Sequence, residues 1–466
     1  MNKLFSLIVF LFISAFTLNA QEKTLSLENV LSIVRKYHPV VMQSALQIEQ
    51  ASNSLLASRG VFDPALQINN ERKTFDSKQY FNYYNPELKI PTWYGVDFKA
   101  GVENNIGQSL DPSFTLNKSS YVGVSLDPFK GLIYDKRRAA VQQAAAMVKL
   151  SKQEQRVVVN DLLFEATDAY WNWVNTFLVQ QVLAEVVQNN ISRFEFVKQA
   201  FQFGDRASID TIEALAQLQS VQSLRLQADL DLQKARFLLS NYFWNEENQP
   251  YVFGGEVIPD TLSNQFNPGA VELPNLSFLL NRAMVEHPKL ISFDNKRDFL
   301  EIEKKVKTLE LLPSFKMSYN FLNKGYALAD VTKQALFQNN YKYGVSFGLP
   351  LLQRQARGEL SKTKNKIAEI DYGRKLSELE IQNKVRAAYA ESTLLLNQLT
   401  VFQQNFINNK KLLEAENAKF TVGESSMFLV NAREMKLIET QQKLISLKTK
   451  FFKSIIANQW AAGLLR

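Results

Sequence analysis

The chain has 466 residues, 46% hydrophobic and 21% charged, which is ordinary enough to exclude a disordered or low-complexity polymer. Its formal net charge is +8, but the basic residues are scattered and no Lys/Arg stripe interleaves with aromatics, so the charge marks solvated faces and excludes a nucleic-acid partner. The absence of cysteine removes disulfides, thiol nucleophiles and thiolate metal sites.

Residues 1–20 read as an export signal. Lys3 supplies the positive start, Leu4 to Leu18 is an apolar core, and Ala20 is the small residue at the cut. Polar Gln21-Glu22-Lys23 follows, and no cysteine lies near the cut to carry a lipid. Beyond the signal no run approaches the roughly 20 apolar residues of a membrane helix. An exported chain of this kind is secreted, periplasmic or a membrane β-barrel.

A first repeat is read over 21–244, opening with a helix at 24–60 that contains His38-Pro39. Pro64 closes that helix and opens a β region at 62–128, as a residue without a backbone N–H should. Alternation there is weak: Leu66 and Ile68, then Val96, Phe98, Ala100 and Val102, then Val122, Val124 and Leu126. Pro91-Thr92-Trp93-Tyr94-Gly95 is either part of a long external loop or the turn of an extra hairpin. Helices are predicted at 132–203 and 207–244, because both runs lack Gly and Pro and are rich in helix formers. Gly204 becomes the tip of a helical hairpin, with Asp205 and Ser208 as capping residues.

A linker, or equatorial segment, at 245–274 leads to a second repeat at 275–466. Its helix at 275–312 carries His287-Pro288, and the two histidines are separated by the same interval as Pro64 and Pro313. The β region at 313–350 alternates cleanly. Phe315, Met317, Tyr319 and Phe321 share one face, as do Tyr341, Tyr343, Val345, Phe347 and Leu349, with polar or small residues between them. Tyr121 to Pro128 in the first repeat matches Tyr343 to Pro350 in the second. Helices at 355–422 and 425–462 flank Gly423 as Gly204 is flanked, with Ser425 and Ser426 as caps. Landmarks in one order, twice, mark a tandem duplication.

The long helices carry narrow apolar seams. Leu162, Ala166, Ala169, Trp173 and Phe177 step by three or four, and so do Leu444, Leu447, Phe451 and Ile455. The fold class is therefore mainly α with a membrane β-barrel contribution, built from long antiparallel hairpins. About four strands per chain are expected, too few to close a barrel alone. Open strand edges are not tolerated in lipid, so the barrel is shared between copies.

These residues resemble the TolC family of outer-membrane efflux and secretion channels. The matching elements are Leu25 to Leu31 with His38-Pro39, Pro64 and Pro313 at the helix-to-strand junctions, and Pro128 and Pro350 at the return. Phe203-Gly204, Val422-Gly423 and Trp460-Ala461-Ala462-Gly463-Leu464 complete the likeness, which spans the mature chain. The resemblance implies a homotrimer in the outer membrane of a Gram-negative cell, extending into the periplasm with a twelve-stranded barrel and a twelve-helix tunnel. It implies a tripartite efflux or type I secretion system: a periplasmic adaptor (membrane fusion) protein and an inner-membrane efflux pump or ABC exporter deliver solutes to a passive exit duct. The alternative is a periplasmic coiled-coil adaptor or scaffold.

The resemblance also places candidate gate residues near the hairpin tips: Asp210 and Glu213 as an acidic constriction, supplied by the first repeat only because the matching Leu429 and Ala432 are apolar. Acidic residues in a first helical turn also suit the helix dipole without any gating role. Arg206, Glu424, Asn431 and Arg433 are candidates to hold the tips together. Gly204, Asp205, Gly423 and Ser425 are candidates for adaptor docking. Lys136, Arg137 and Arg138, starting the long helix, are candidate anchors at the lipid headgroups or simply a solvated helix start. The two histidines sit at helix junctions without clustered ligands, and no phosphate-binding glycine loop or Gly-x-Ser-x-Gly is present, so no enzyme, cofactor or metal site is expected.

Overall fold

Each proline landmark acts on the backbone where it stands. The computed structural model describes residues 23–252, 257–260, 268, 271–331 and 339–466. The signal segment at 1–20 and most of 253–270 lie outside the described residues. In chain order the elements begin with β1 (Lys23–Leu25), α1 (Leu27–Tyr37) and α2 (Pro39–Arg59). Strands β2 (Ala65–Phe75), β3 (Lys78–Pro91), β4 (Val96–Ile106) and β5 (Asn117–Leu126) follow. Helices α3 (Lys136–Gln202) and α4 (Ser208–Ser240) form the first hairpin, and β6 (Val257–Pro259) pairs in parallel with β1. The second half contains α5 (Leu276–Glu286), α6 (Pro288–Leu309), β7 (Ser314–Lys324), β8 (Tyr341–Gly348), α7 (Arg354–Thr421) and α8 (Met427–Ala461).

The expected helices at 24–60 and 275–312 are each two helices. His38 and His287 adopt extended backbone, with ψ 131° and 120°, as a residue before proline should. Their N–H groups still bond back into the helix they end, His38 to Val34 O at 3.1 Å and His287 to Ala283 O at 3.2 Å.

The strand count also differs from expectation. Among the described residues a single six-stranded antiparallel sheet has the order β2-β3-β4-β5-β7-β8, where about four strands were expected. The first extended region supplies four of them. Its two added turns are Asp76-Ser77, both at positive φ of 52° and 58° as a tight hairpin demands, and Thr92 to Gly95. Gly95 stands at φ +82° with a Cβ position only 2.4 Å from Gly131 O, so the turn closes only with glycine.

Packing divides the chain into two units: residues 44–155 with 288–379, which hold the six-stranded sheet, and 1–43 with 156–287 and 380–466. Helices α3 and α7 have 67 and 68 residues, which at about 1.5 Å per residue is roughly 100 Å of helix each. In the helical unit the seams are buried. Leu163, Ala166, Tyr170 and Trp173 of α3 meet Val30 and Val34 of α1 and Leu239 of α4 in one apolar cluster. Leu395 and Leu399 of α7 meet Leu444, Leu447 and Phe451 of α8 in another. Helix packed along helix thus excludes water without a globular core.

Candidate functional site

The sheet has two chemically distinct faces. Register pairs Leu66 with Leu88, Leu88 with Ala100, Ala100 with Val122, Val122 with Phe321 and Phe321 with Tyr341, so one apolar row crosses all six strands. Phe98, Val124, Tyr319 and Tyr343 make the next row. These side chains are half-exposed to exposed: Leu66 is 66% exposed, Tyr343 68% and Leu88 38%. The opposite face carries Gln67, Glu87, Lys99, Glu103, Tyr121 and Lys342. Its charges are paired in the plane of the sheet: Tyr121 donates to Glu87 at 2.5 Å, Lys99 lies 3.9 Å from the same carboxylate, and Ser119 donates to Glu103 at 3.3 Å. Among the described residues both edge strands, β2 and β8, have an unpaired side. An exposed apolar face, a polar face and two open edges are the specification of a barrel wall in lipid.

Where the sheet hands over to α3, Asp127 caps the turn at Pro128–Ile133 by accepting from Phe129 N and Lys130 N. The three basic residues proposed as headgroup anchors are engaged here. Arg137 bonds Asp135 at 2.6 Å and Asp97 of β4 at 2.8 Å, tying the helix start to the polar face of the sheet. Lys136 pairs with Glu310 at 2.7 Å, and Arg138 donates to Gly131 O at 2.7 Å. Their local role is to staple the strand-to-helix junction.

The two hairpin tips share one backbone solution. Gly204 and Gly423 have φ of +84° and +83°. In the first tip Gly204 N donates to Phe201 O and Asp205 N to Ala200 O; in the second Gly423 N donates to Phe420 O and Glu424 N to Lys419 O. This Schellman arrangement satisfies the last carbonyls of each helix and needs a residue at ease with positive φ. Ser426 caps α8 by accepting from Leu429 N. The corresponding cap of α4 is Ala207, with no side-chain bond, so Asp205 and Ser208 do not cap as expected.

Several of the candidate polar side chains join the tips. Arg206 of the first hairpin donates to Phe420 O of the second at 2.5 Å, and its guanidinium sits 4.1 Å from the Phe420 ring centre. Asn431 donates to Glu213 O at 3.3 Å. Arg433 lies 3.8 Å from Glu416, which also accepts from Ser425, so these contacts stay within the second hairpin. Glu424 is exposed beyond the turn, and Asp210 stands in the first turn of α4. Beneath them Val197, Ala214, Phe420, Met427 and Val430 close an apolar plug drawn from all four helices.

Above the plug lies a site missed in the sequence. Glu434 is 5% exposed and accepts from Arg193 twice, at 3.0 and 2.8 Å, from Asn190 at 3.0 Å and from Gln217 at 3.1 Å. One carboxylate thereby links α3, α4 and α8. A signal was present: Met427, Val430, Glu434 and Ile438 step by four or three along a buried seam, and a charge in that phase demands partners.

His38 stacks on Tyr242 with ring centres 6.0 Å apart and accepts from Val40 N, and burial pushes its imidazole below the ordinary value. That is a capping and packing role. Among the described residues no three His, Asp or Glu side chains gather as metal ligands would. Nor is any described helix long and apolar enough to cross a membrane, a statement that leaves the sheet untouched.

No protein-family model matches the chain, and no curated protein matches it in sequence. Solved structures do. The CmeC outer membrane channel of Campylobacter jejuni superposes with a TM-score of 0.66 at 15% identity, covering 94% of this chain and 86% of that one. The outer membrane protein VceC of Vibrio cholerae gives 0.64 at 14% identity, covering 94% and 96%. The MtrE outer membrane channel of Neisseria gonorrhoeae, in its open state, gives 0.65 at 13% identity, covering 94% and 89%. Over nearly its whole length the chain therefore has the fold of the TolC-type outer-membrane channels.

Proposed function

We propose that this chain is one protomer of an outer-membrane exit duct in a Gram-negative cell, a passive channel and not an enzyme. The observation that carries the reading is the six-stranded sheet with an exposed to half-exposed apolar face, a polar face and, among the described residues, two unpaired edges. Such a sheet is stable in lipid only when its edges are paired by other copies. Strands alternate in direction across the six, so β8 of one copy meets β2 of the next antiparallel. A homotrimer closes about eighteen strands, and barrels of roughly 16–18 strands enclose an aqueous channel. The wall is then half as large again as the twelve strands implied by the resemblance.

In this reading the paired tips around Gly204, Asp205, Gly423 and Ser425 face a periplasmic adaptor, and an inner-membrane efflux pump or ABC exporter supplies the solute. Asp210 and Glu213 line the entrance. The structures superposed above are described as outer membrane channels, which supports the duct and leaves the cargo open. The alternative, a periplasmic coiled-coil scaffold, gives no role to the bare apolar row from Leu66 to Tyr341.

The test is the full chain purified in detergent. A trimer mass with discrete conductance in planar bilayers is expected, and cation preference should fall when Asp210→Asn and Glu213→Gln are combined. A monomer that stays in solution without detergent refutes the duct; unchanged ion preference removes only the acidic entrance.

A further inference from the structure

The loop between β4 and β5, residues 107–116, does not project away from the sheet. It lies back over the polar face, held by contacts along its length. Ser109 N donates to Tyr80 O at 3.0 Å, and Asp111 N donates to the Tyr83 hydroxyl at 3.0 Å. The Phe114 ring packs on Tyr83 with centres 4.7 Å apart. Asn105, fully buried, donates to Thr115 O at 2.9 Å. From the far edge of the sheet Lys342 of β8 reaches Ser113 O at 2.8 Å. Tyr83 and Asn105 are directly paired in register, and both belong to the polar face.

The inward course begins at one residue. Gly107 has φ +150°, and a Cβ there would come within 2.3 Å of Tyr80 O and 2.7 Å of Phe81 Cα. Only glycine allows the backbone to turn down so closely against β3. Inside the turn, Asp111 accepts from Ser113 N at 2.8 Å and stiffens the loop. Between loop and sheet remains a polar recess of about 230 Å³, lined by Gln67, Asn85, Glu87, Glu103, Asn320 and Lys342 with Ser113 and Phe114 of the loop.

We propose that loop 107–116 is an internal constriction of the pore, a polar sieve that limits the size of solute leaving through a barrel otherwise wide enough to pass it freely. The inference rests on the duct reading, because only there is the polar face a lumen wall. A barrel of about eighteen strands has an open aqueous interior, and a folded-in loop from each copy narrows it. Three ties fix the position: the glycine pivot, the tilted Tyr83–Phe114 ring contact and the Lys342 bridge. Lys342 spans from β8 to a loop that starts on β4, so the loop covers the strands between them. Ser113 is exposed; its backbone makes the bonds to Asp111 and Lys342, and its hydroxyl also reaches Asp111.

The chain has no cysteine, so a single thiol reports without background. Ser113→Cys places a thiol on the loop, and Ser77→Cys places one on the β2–β3 turn as a control. Both replace serine by a near-isostere. A bulky thiol-specific methanethiosulfonate reagent should reduce single-channel conductance at Ser113→Cys to roughly half or less, with little change at Ser77→Cys. Electron cryomicroscopy of the unmodified trimer in lipid nanodiscs gives an independent reading, and density for 107–116 inside the barrel is expected. A trimeric, conducting channel whose loop density lies outside the lumen overturns the constriction and leaves the duct standing. So does full conductance after confirmed labelling of Ser113→Cys. A chain that forms no channel overturns the duct, and the constriction with it.

Discussion

Arg193→Met isolates the energetic role of the buried carboxylate. The Arg193 side chain is 18% exposed and that of Glu434 7%, so water screens the pair poorly and the exposed-pair estimate does not apply. Removing the guanidinium takes away two of the four hydrogen bonds on Glu434 and leaves a buried charge with only Asn190 and Gln217 as donors. Breaking a buried pair on one side costs about 3–5 kcal/mol. Methionine keeps helix propensity, so backbone effects are small. The cost falls where α3, α4 and α8 meet, and it should appear as local opening. Hydrogen–deuterium exchange of amides 188–195 and 430–438 should therefore accelerate by roughly a hundredfold to a few thousandfold, with amides around Trp173 unchanged. The double variant Arg193→Met with Glu434→Leu removes the stranded charge and should recover at least half of the lost protection, on the rule that a buried pair replaced by apolar groups is near neutral. Exchange in Arg193→Met within about threefold of wild type, or a double variant worse than the single, would show that the pair does not hold these helices together.

Two glycines that share positive φ should respond differently to substitution. Gly95→Ala forces a Cβ to within 2.4 Å of Gly131 O and should abolish the β3–β4 turn, seen as loss of trimer in mild detergent, whereas Gly204→Ala meets nothing within 4 Å and should cost only the intrinsic 1–2 kcal/mol or so of left-handed backbone. Equal effects would refute the close-approach argument. His38 gives a pH signature. Burial lowers its pKa from 6.5, so the neutral ring is favoured in the fold; the stability this contributes is present above the unfolded value and is lost as pH falls through it toward the folded value. Thermal unfolding should drop more steeply below about pH 6.5 in wild type than in His38→Asn, which keeps an acceptor for Val40 N without the charge. Parallel pH curves would remove His38 as the cause.

The site was readable in the sequence wherever one residue's chemistry fixes its own backbone. Gly204 and Gly423 announce their turns because few other residues adopt φ near +84°. The clean alternation of Phe315 to Phe321 announces a strand with one apolar face. Lys78 to Pro91 stayed open between a loop and one arm of an extra hairpin because aromatic Phe81 and Tyr83 in the polar-face register and Asn82 in the outward register blur the alternation, and its turn at Asp76-Ser77 carries no glycine. Glu434 was missed because its meaning depends on Arg193 and Gln217, which lie far away along the chain.

By itself the sequence determined the kinds of element and their order: long breaker-free helices, hairpin tips, and strands with one apolar face. Those follow from propensity and period, which act between near neighbours on the chain. The tertiary structure alone decided that the sheet has six strands, that loop 107–116 turns onto the polar face, and that Arg137 faces Asp97 while Glu434 faces Arg193. Each of these is a choice of partner between segments distant in sequence. Such choices are fixed by register, close packing and the cost of an unpaired buried charge, which no local pattern records.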